Sequence, residues 1–126
     1  MNKNLINNEI KAAYDALRNV GIVEQNKEGK DIIKKTYRGQ ISSFGAAVTM
    51  GSLLPAIAFF SENGGSDVER SKLMKAILEV LQKKRNVTEK TLLDYVLNHK
   101  EDECKEEIVN AAIALKLSMN LYEFEK

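Results

Sequence analysis

Apolar positions recur along this chain at steps of three and four, the spacing that lines one face of an α-helix. Ile6, Ile10, Ala13, Leu17 and Val20 set the first stripe, over about Asn4 to Val20, and Gly21 behind it suits a left-handed C-terminal cap. Gln25 to Gly29 then reads as a linker. Ile33, Tyr37, Ile41, Phe44 and Val48 make a second stripe, which runs out through Gly45, Ala46 and Ala47 to a stop at Gly51. Ser52 is placed to cap a third helix with Pro55 in its first turn, where the missing N–H costs little, and Glu62-Asn63-Gly64-Gly65 ends it. Ser66 with Glu69 forms a capping-box signature for a fourth, striped by Leu73, Met74, Ile77, Val80 and Leu81. Thr88 is the expected cap of a short fifth helix carrying Leu92, Leu93, Val96 and Leu97, and the acidic run Asp102 to Glu107 opens a sixth expected to reach Phe124. No stretch sustains the period-two alternation of a strand, and no internal repeat is evident. The predicted fold class is all-α, a single compact bundle of about six helices forming one domain over residues 1–126.

The last helix carries two stripes on opposite sides. Ile108, Ala112, Leu115, Met119 and Tyr122 form one; Ile113, Leu117, Leu121 and Phe124 form the other. A surface helix needs only one apolar face. The second stripe therefore means either a central helix covered all round or an interface for another protein.

Composition agrees with a small folded domain: 126 residues, 44% hydrophobic and 29% charged, enough to build a core without metal or disulfides. Cys104 is the only cysteine, so no internal disulfide can form, and its acidic neighbours are expected to raise its thiol pKa. With a polar N-terminus and no signal-like apolar run, the expectation is a cytoplasmic protein. Phe44 to Phe60 is uncharged for 17 residues, near the lower limit for a spanning helix, but Gly45, Gly51, Ser52 and Pro55 interrupt it. Two buried soluble helices fit it better.

Net charge is +1, too small for the global positive field of a free-standing nucleic-acid binder. Its distribution is uneven: residues 101–126 hold three Lys+Arg against seven Asp+Glu, whereas residues 1–50 hold eight against five. Lys34, Lys35 and Arg38 form one basic cluster and Lys83, Lys84 and Arg85 another, and either could contact phosphates. The second ends a helix, where cations are favoured in any case. Lys11 and Arg18 have Asp15 within reach as a salt-bridge partner. Tyr37 could stack on a base, or pack in the core with its stripe.

Candidates for catalysis are sparse. His99 is the only histidine, at the end of the fifth helix; with Cys104 it makes no zinc set, and Glu106 and Glu107 diverge as sequence neighbours. No P-loop, dinucleotide-binding glycine fingerprint or nucleophile elbow occurs. The sequence predicts a non-enzyme with no cofactor, no metal and no small-molecule substrate.

Tyr37-Arg38, followed by Leu53-Leu54-Pro55-Ala56-Ile57-Ala58-Phe59, resembles the Tyr-Arg and Gly-Leu-x-x-x-Leu-Ala-Phe-like elements of the small α-helical subunit of type III-B CRISPR effector complexes, the Cmr RNA-targeting machines. Ser52 stands where that family tends to have glycine. The alanine- and leucine-rich last helix is similar as well. The resemblance implies a non-catalytic subunit whose partners are the other Cmr subunits, especially the backbone subunit and neighbouring copies of itself, together with guide and target RNA. It implies phosphate contacts from Lys34, Lys35 and Arg38, and leaves RNA cleavage to other subunits. The rival expectation is a helical protein–protein interaction module or small regulator with no nucleic-acid role.

Overall fold

In the computed structural model, which describes residues 3–65 and 68–125, helix α6 (Glu101–Met119) packs on α1 (Lys3–Asn19), α2 (Lys35–Met50) and α4 (Ser71–Lys84), with α3 (Leu53–Phe60) and α5 (Leu92–Leu97) closing one side. The predicted bundle of six helices is what folds. Ile108, Ala111, Leu115 and Met119 of α6 are fully buried with Ala13, Ala16 and Leu17 of α1, Phe44 and Val48 of α2, and Leu73, Ile77 and Val80 of α4, in one continuous apolar cluster. Burying a large side chain of this kind contributes about 1.5–3 kcal/mol, so the stripes and not intrinsic propensity hold the helices.

Helix α1 stops as its sequence predicts. Gly21 takes φ +85°, and the amides of Gly21 and Ile22 return to the carbonyls of Arg18 and Leu17 in a Schellman arrangement. The segment after it is a hairpin and not a linker. Strands β1 (Val23–Gln25) and β2 (Asp31–Ile33) pair antiparallel around a turn held by Asn26, whose Oδ1 accepts from the amides of Glu28 and Lys30, with Gly29 at φ +80°. Ile33 thus belongs to β2, buried as its stripe requires, and Lys34 is the extended N-cap residue of α2 instead of a helical one.

Other boundaries depart from expectation too. Helix α6 ends at Met119, and Leu121 to Phe124 leave it; Glu123 and Phe124 form β3, parallel to β2 in the order β1-β2-β3. Ile33 accepts a backbone bond from Glu125 at 2.9 Å, so strand pairing wins over helix continuation once a partner edge is present. Helix α4 begins at Ser71, so Glu69 precedes it and cannot serve as the N3 residue of a capping box; the predicted cap, Ser66, lies outside the described residues. Thr91, not Thr88, caps α5, its hydroxyl accepting from the Asp94 amide. Ser52 does sit at the N-cap of α3, but its side chain makes no cap bond. Glu101 at the start of α6 supplies the acceptor instead, at 2.7 Å from the Leu53 amide nitrogen. Among the described residues no helix is long and apolar enough to cross a membrane.

Candidate nucleic-acid interface

The two basic clusters have opposite surroundings. At the end of α4, Lys83 lies 3.6 Å from Asp15 of α1 and 3.9 Å from Glu79, and Lys84 reaches Glu9 of α1 at 2.7 Å. Arg85 pairs with Glu107 of α6, which also accepts a hydrogen bond from the Tyr95 hydroxyl at 3.2 Å. Glu9 is only 1% exposed, so Lys84 neutralises a carboxylate that would otherwise be buried unpaired. These cations staple α4 to α1 and α6 at the end where the helix dipole favours positive charge.

The start of α2 is built differently. Hairpin β1-β2 delivers Lys34 to the N-cap in an extended conformation (φ −69°, ψ 132°), Lys35 opens the first turn, and that turn contains no acidic residue. Lys34, Lys35 and Arg38 form no ion pair among the described residues. Lys35 and Arg38 are exposed and Lys34 is half-buried. Arg38 lies over the ring of Phe124, 5.5 Å from its centroid, because β3 lies parallel to the strand that leads into α2. Glu123 and Glu125 on the same segment are exposed. A helix N-terminus is the positive end of the peptide dipoles, so each cation there opposes folding slightly and attracts an anion.

Tyr37 is buried at the base of this cluster, within the core and not open to a base. Arg18 does not use Asp15: it bonds Asp31 at 2.7 Å and covers the stacked rings of Tyr14 and Tyr122, while Lys11 takes Asp15 at 3.2 Å. The Asp15 carboxyl is held below its ordinary range by its hydrogen bond to Lys11 and by the nearby Lys83. Cys104 is buried, and its thiol pKa is raised chiefly by burial and then by Glu107 and Glu103, so the acidic neighbours are the secondary cause. His99 is exposed, with Nδ1 2.7 Å from the Tyr95 carbonyl and its ring tilted against Tyr95. Among the described residues no three His, Cys, Asp or Glu side chains come together as a metal-binding group.

The predicted interface stripe divides. Ile113 is half-buried beside α2, Leu117 on α6 is exposed, Leu121 protrudes 63% exposed from the turn after the helix, and Phe124 lies in β3 under Arg38. The first stripe, Ile108 to Tyr122, is wholly core. Sequence reasoning missed the pairing of Glu9 with Lys84 and the exposure of Met50 at 87%, both of which depend on how helices meet.

The described residues form a small helical bundle with an unpaired cationic cluster at the start of α2 and exposed apolar side chains at Leu117 and Leu121. The chain belongs to the Cas_Cmr5 family of CRISPR-associated proteins, whose family model matches residues 8–116, and is thereby a small subunit of the type III-B Cmr system. The matched span contains both Tyr37-Arg38 and the Leu53 to Phe59 element, and it ends before Leu117. Neither the curated proteins nor the solved structures contain a match.

Proposed function

We propose that this Cmr subunit is non-catalytic and supports RNA-guided antiviral defence in the cytoplasm, with copies stacking beside the backbone subunit and Lys34, Lys35 and Arg38 contacting phosphates of the guide or target RNA. The observation that carries this is the contrast in pairing. The cations at the end of α4 are neutralised by Glu9, Asp15, Glu79 and Glu107, whereas those at the start of α2 have no ion pair among the described residues and sit against the helix dipole. Lys83, Lys84 and Arg85 accordingly serve the fold, and phosphate contact falls to the α2 cluster alone.

Phosphate contacts position a strand without reading its sequence, which suits lysine and arginine on a rigid helix. One subunit of net charge +1 binds RNA weakly, and repetition along a particle supplies the rest. Exposed Leu117 and Leu121 supply the protein-facing side. The same two residues also support the second reading, a protein-interaction module with no nucleic-acid role.

A salt titration of RNA binding by the assembled complex separates the two. Replacing Lys34, Lys35 and Arg38 by glutamate should weaken binding and flatten the dependence of log affinity on log salt by roughly 0.7 per lost single-strand contact. An unchanged slope and affinity would remove the RNA contact and leave the interaction module.

A further inference from the structure

A second feature belongs to elements other than α2. Between the end of α3, the first turns of α4 and the start of α5 is a cleft of about 140 Å³, floored by Met74, Leu78 and Leu92 and flanked by Lys75 and Lys90. Small-molecule sites run to about 300–1,000 Å³, so this volume suits a single side chain. Of the hydroxyls at its rim, Ser61 donates to the Ile57 carbonyl and Thr91 accepts from the Asp94 amide, and Ser71 adds a third. A visitor meets an apolar floor, these rim hydroxyls and two ammonium groups. Neither lysine has an ion pair among the described residues. Glu79, one helical turn on from Lys75, is turned to Asn19 and Lys83, and Glu89 beside Lys90 is turned to Asn98.

The complement of such a cleft is an apolar side chain close to carboxylates, and the chain itself presents one. Leu121 protrudes from the turn after α6, with Glu123 and Glu125 exposed just beyond it. Tyr122 between them is anchored, its hydroxyl donating to the Tyr14 carbonyl at 3.0 Å, so Leu121 is displayed from a fixed support. Arg70, Lys72 and Glu69 lie near the α4 start, but Lys72 is paired with Glu69 and Arg70 is stacked on Phe59 at 4.1 Å, leaving Lys75 and Lys90 as the receiving charges.

We propose that the α3/α4/α5 cleft receives the Leu121 to Glu125 segment of a second copy of this chain, Leu121 entering the apolar floor and Glu123 lying between Lys75 and Lys90. The inference rests on the reading that copies stack, and it names the two surfaces. Because cleft and knob are different patches, a head-to-tail contact is heterologous and leaves one cleft and one knob of the pair free, which lets a row extend. The contact is small, so it is weak in isolation and gains from the repetition of a particle.

The test uses the full-length chain, free of RNA, with amide chemical shifts followed by NMR as concentration rises to the millimolar range. Concentration-dependent shifts are expected at residues 75–78, 90–92 and 121–125. Leu121→Asp, and separately Lys75→Glu with Lys90→Glu, should each weaken self-association by about tenfold or more, the loss expected for a central anchor. Mixing the two variants should restore the contact, because one keeps the cleft and the other keeps the knob; labelled Leu121→Asp protein then shows the shifts at residues 75–78 and 90–92. Absence of shifts at these residues in the wild type, association unchanged in either variant, or no recovery on mixing overturns the assignment. Association through another surface discards this cleft while leaving stacking intact, and the RNA contact is decided separately by the salt titration.

Discussion

The end of α4 and the start of α2 carry the same residue types, two lysines and an arginine each, yet one cluster is consumed by the fold and the other is left over. Residue types are equal in the two; location relative to the helix dipole and to carboxylates on other elements is not. At the C-terminus of α4 positive charge is favoured twice, by the dipole and by Glu9, Asp15 and Glu107 on α1 and α6. At the N-terminus of α2 the dipole disfavours it, and no carboxylate among the described residues answers it. A charge that no carboxylate of the fold pairs is the better candidate for a partner's phosphate, even where, as with Arg38 over Phe124, its side chain packs on the fold.

The largest effect separating the clusters should appear in stability. Lys84→Ala strands the buried Glu9 carboxylate and is expected to cost about 2–3 kcal/mol, below the roughly 3–5 of a fully buried pair because the Lys84 side chain is partly exposed. Chemical denaturation with an unchanged m-value would show it, and a loss under about 0.5 kcal/mol would mean that Glu9 does not depend on Lys84. Next in size is RNA affinity. The triple glutamate variant of Lys34, Lys35 and Arg38 is expected to weaken binding by the assembled complex on the order of tenfold to thirtyfold at physiological salt, while Lys83→Gln should leave it unchanged. Equal losses for the two clusters would erase the distinction between them.

A smaller effect has the opposite sign. Lys35→Glu puts the first acidic residue into the opening turn of α2 and should stabilise the free protein by about 0.5 kcal/mol, seen as a higher melting temperature. A protein stabilised by a change that weakens its RNA binding would identify Lys35 as retained for its partner. A last effect, absent at neutral pH, is read in alkali. Tyr95, beside Glu107 and Arg85 at the end of α4, has its hydroxyl pKa pushed up to about 12 by burial and by the Glu107 carboxylate, and burial pushes Tyr122 to about 12 as well. A folded pKa raised above the unfolded value near 10 means that the stabilisation is intact below pH 10 and is lost as pH climbs through 12. Absorbance titration should show these two phenols ionising late, in step with loss of helix, and Tyr95→Phe should remove one of the late phases.

The six helices were legible because each buries a stripe that the sequence repeats at helical spacing, and Gly21 and Gly51 ended two of them where expected. The hairpin was harder to read. Its strands are three residues each, too short for an alternating pattern, although Asn26 and Gly29 between Val23 and Ile32 are a turn signal with a mechanism. The last helix ran too long in the sequence because Leu121 and Phe124 continue its spacing; β2 offers the chain a better partner for its backbone, and periodicity cannot register an edge supplied by the first third of the chain. The acceptor at the start of α3 was hidden for a related reason: Ser52 is the N-cap residue as expected, but Glu101 accepts from the Leu53 amide from 48 residues away, so no local motif announces it.

At the candidate site the division is similar. The basic clusters could be found by eye, but which was free could not, since Glu9 and Lys84 are separated by 75 residues and meet only when α1 packs on α4. By itself the sequence determined the helices, the apolar face of each and the positions of the cations, because these follow from local periodicity and residue chemistry. Tertiary structure alone decided which cations are neutralised, where the C-terminal segment ends as a strand, and which apolar side chains stay exposed, because each is settled by contacts between elements distant in the chain.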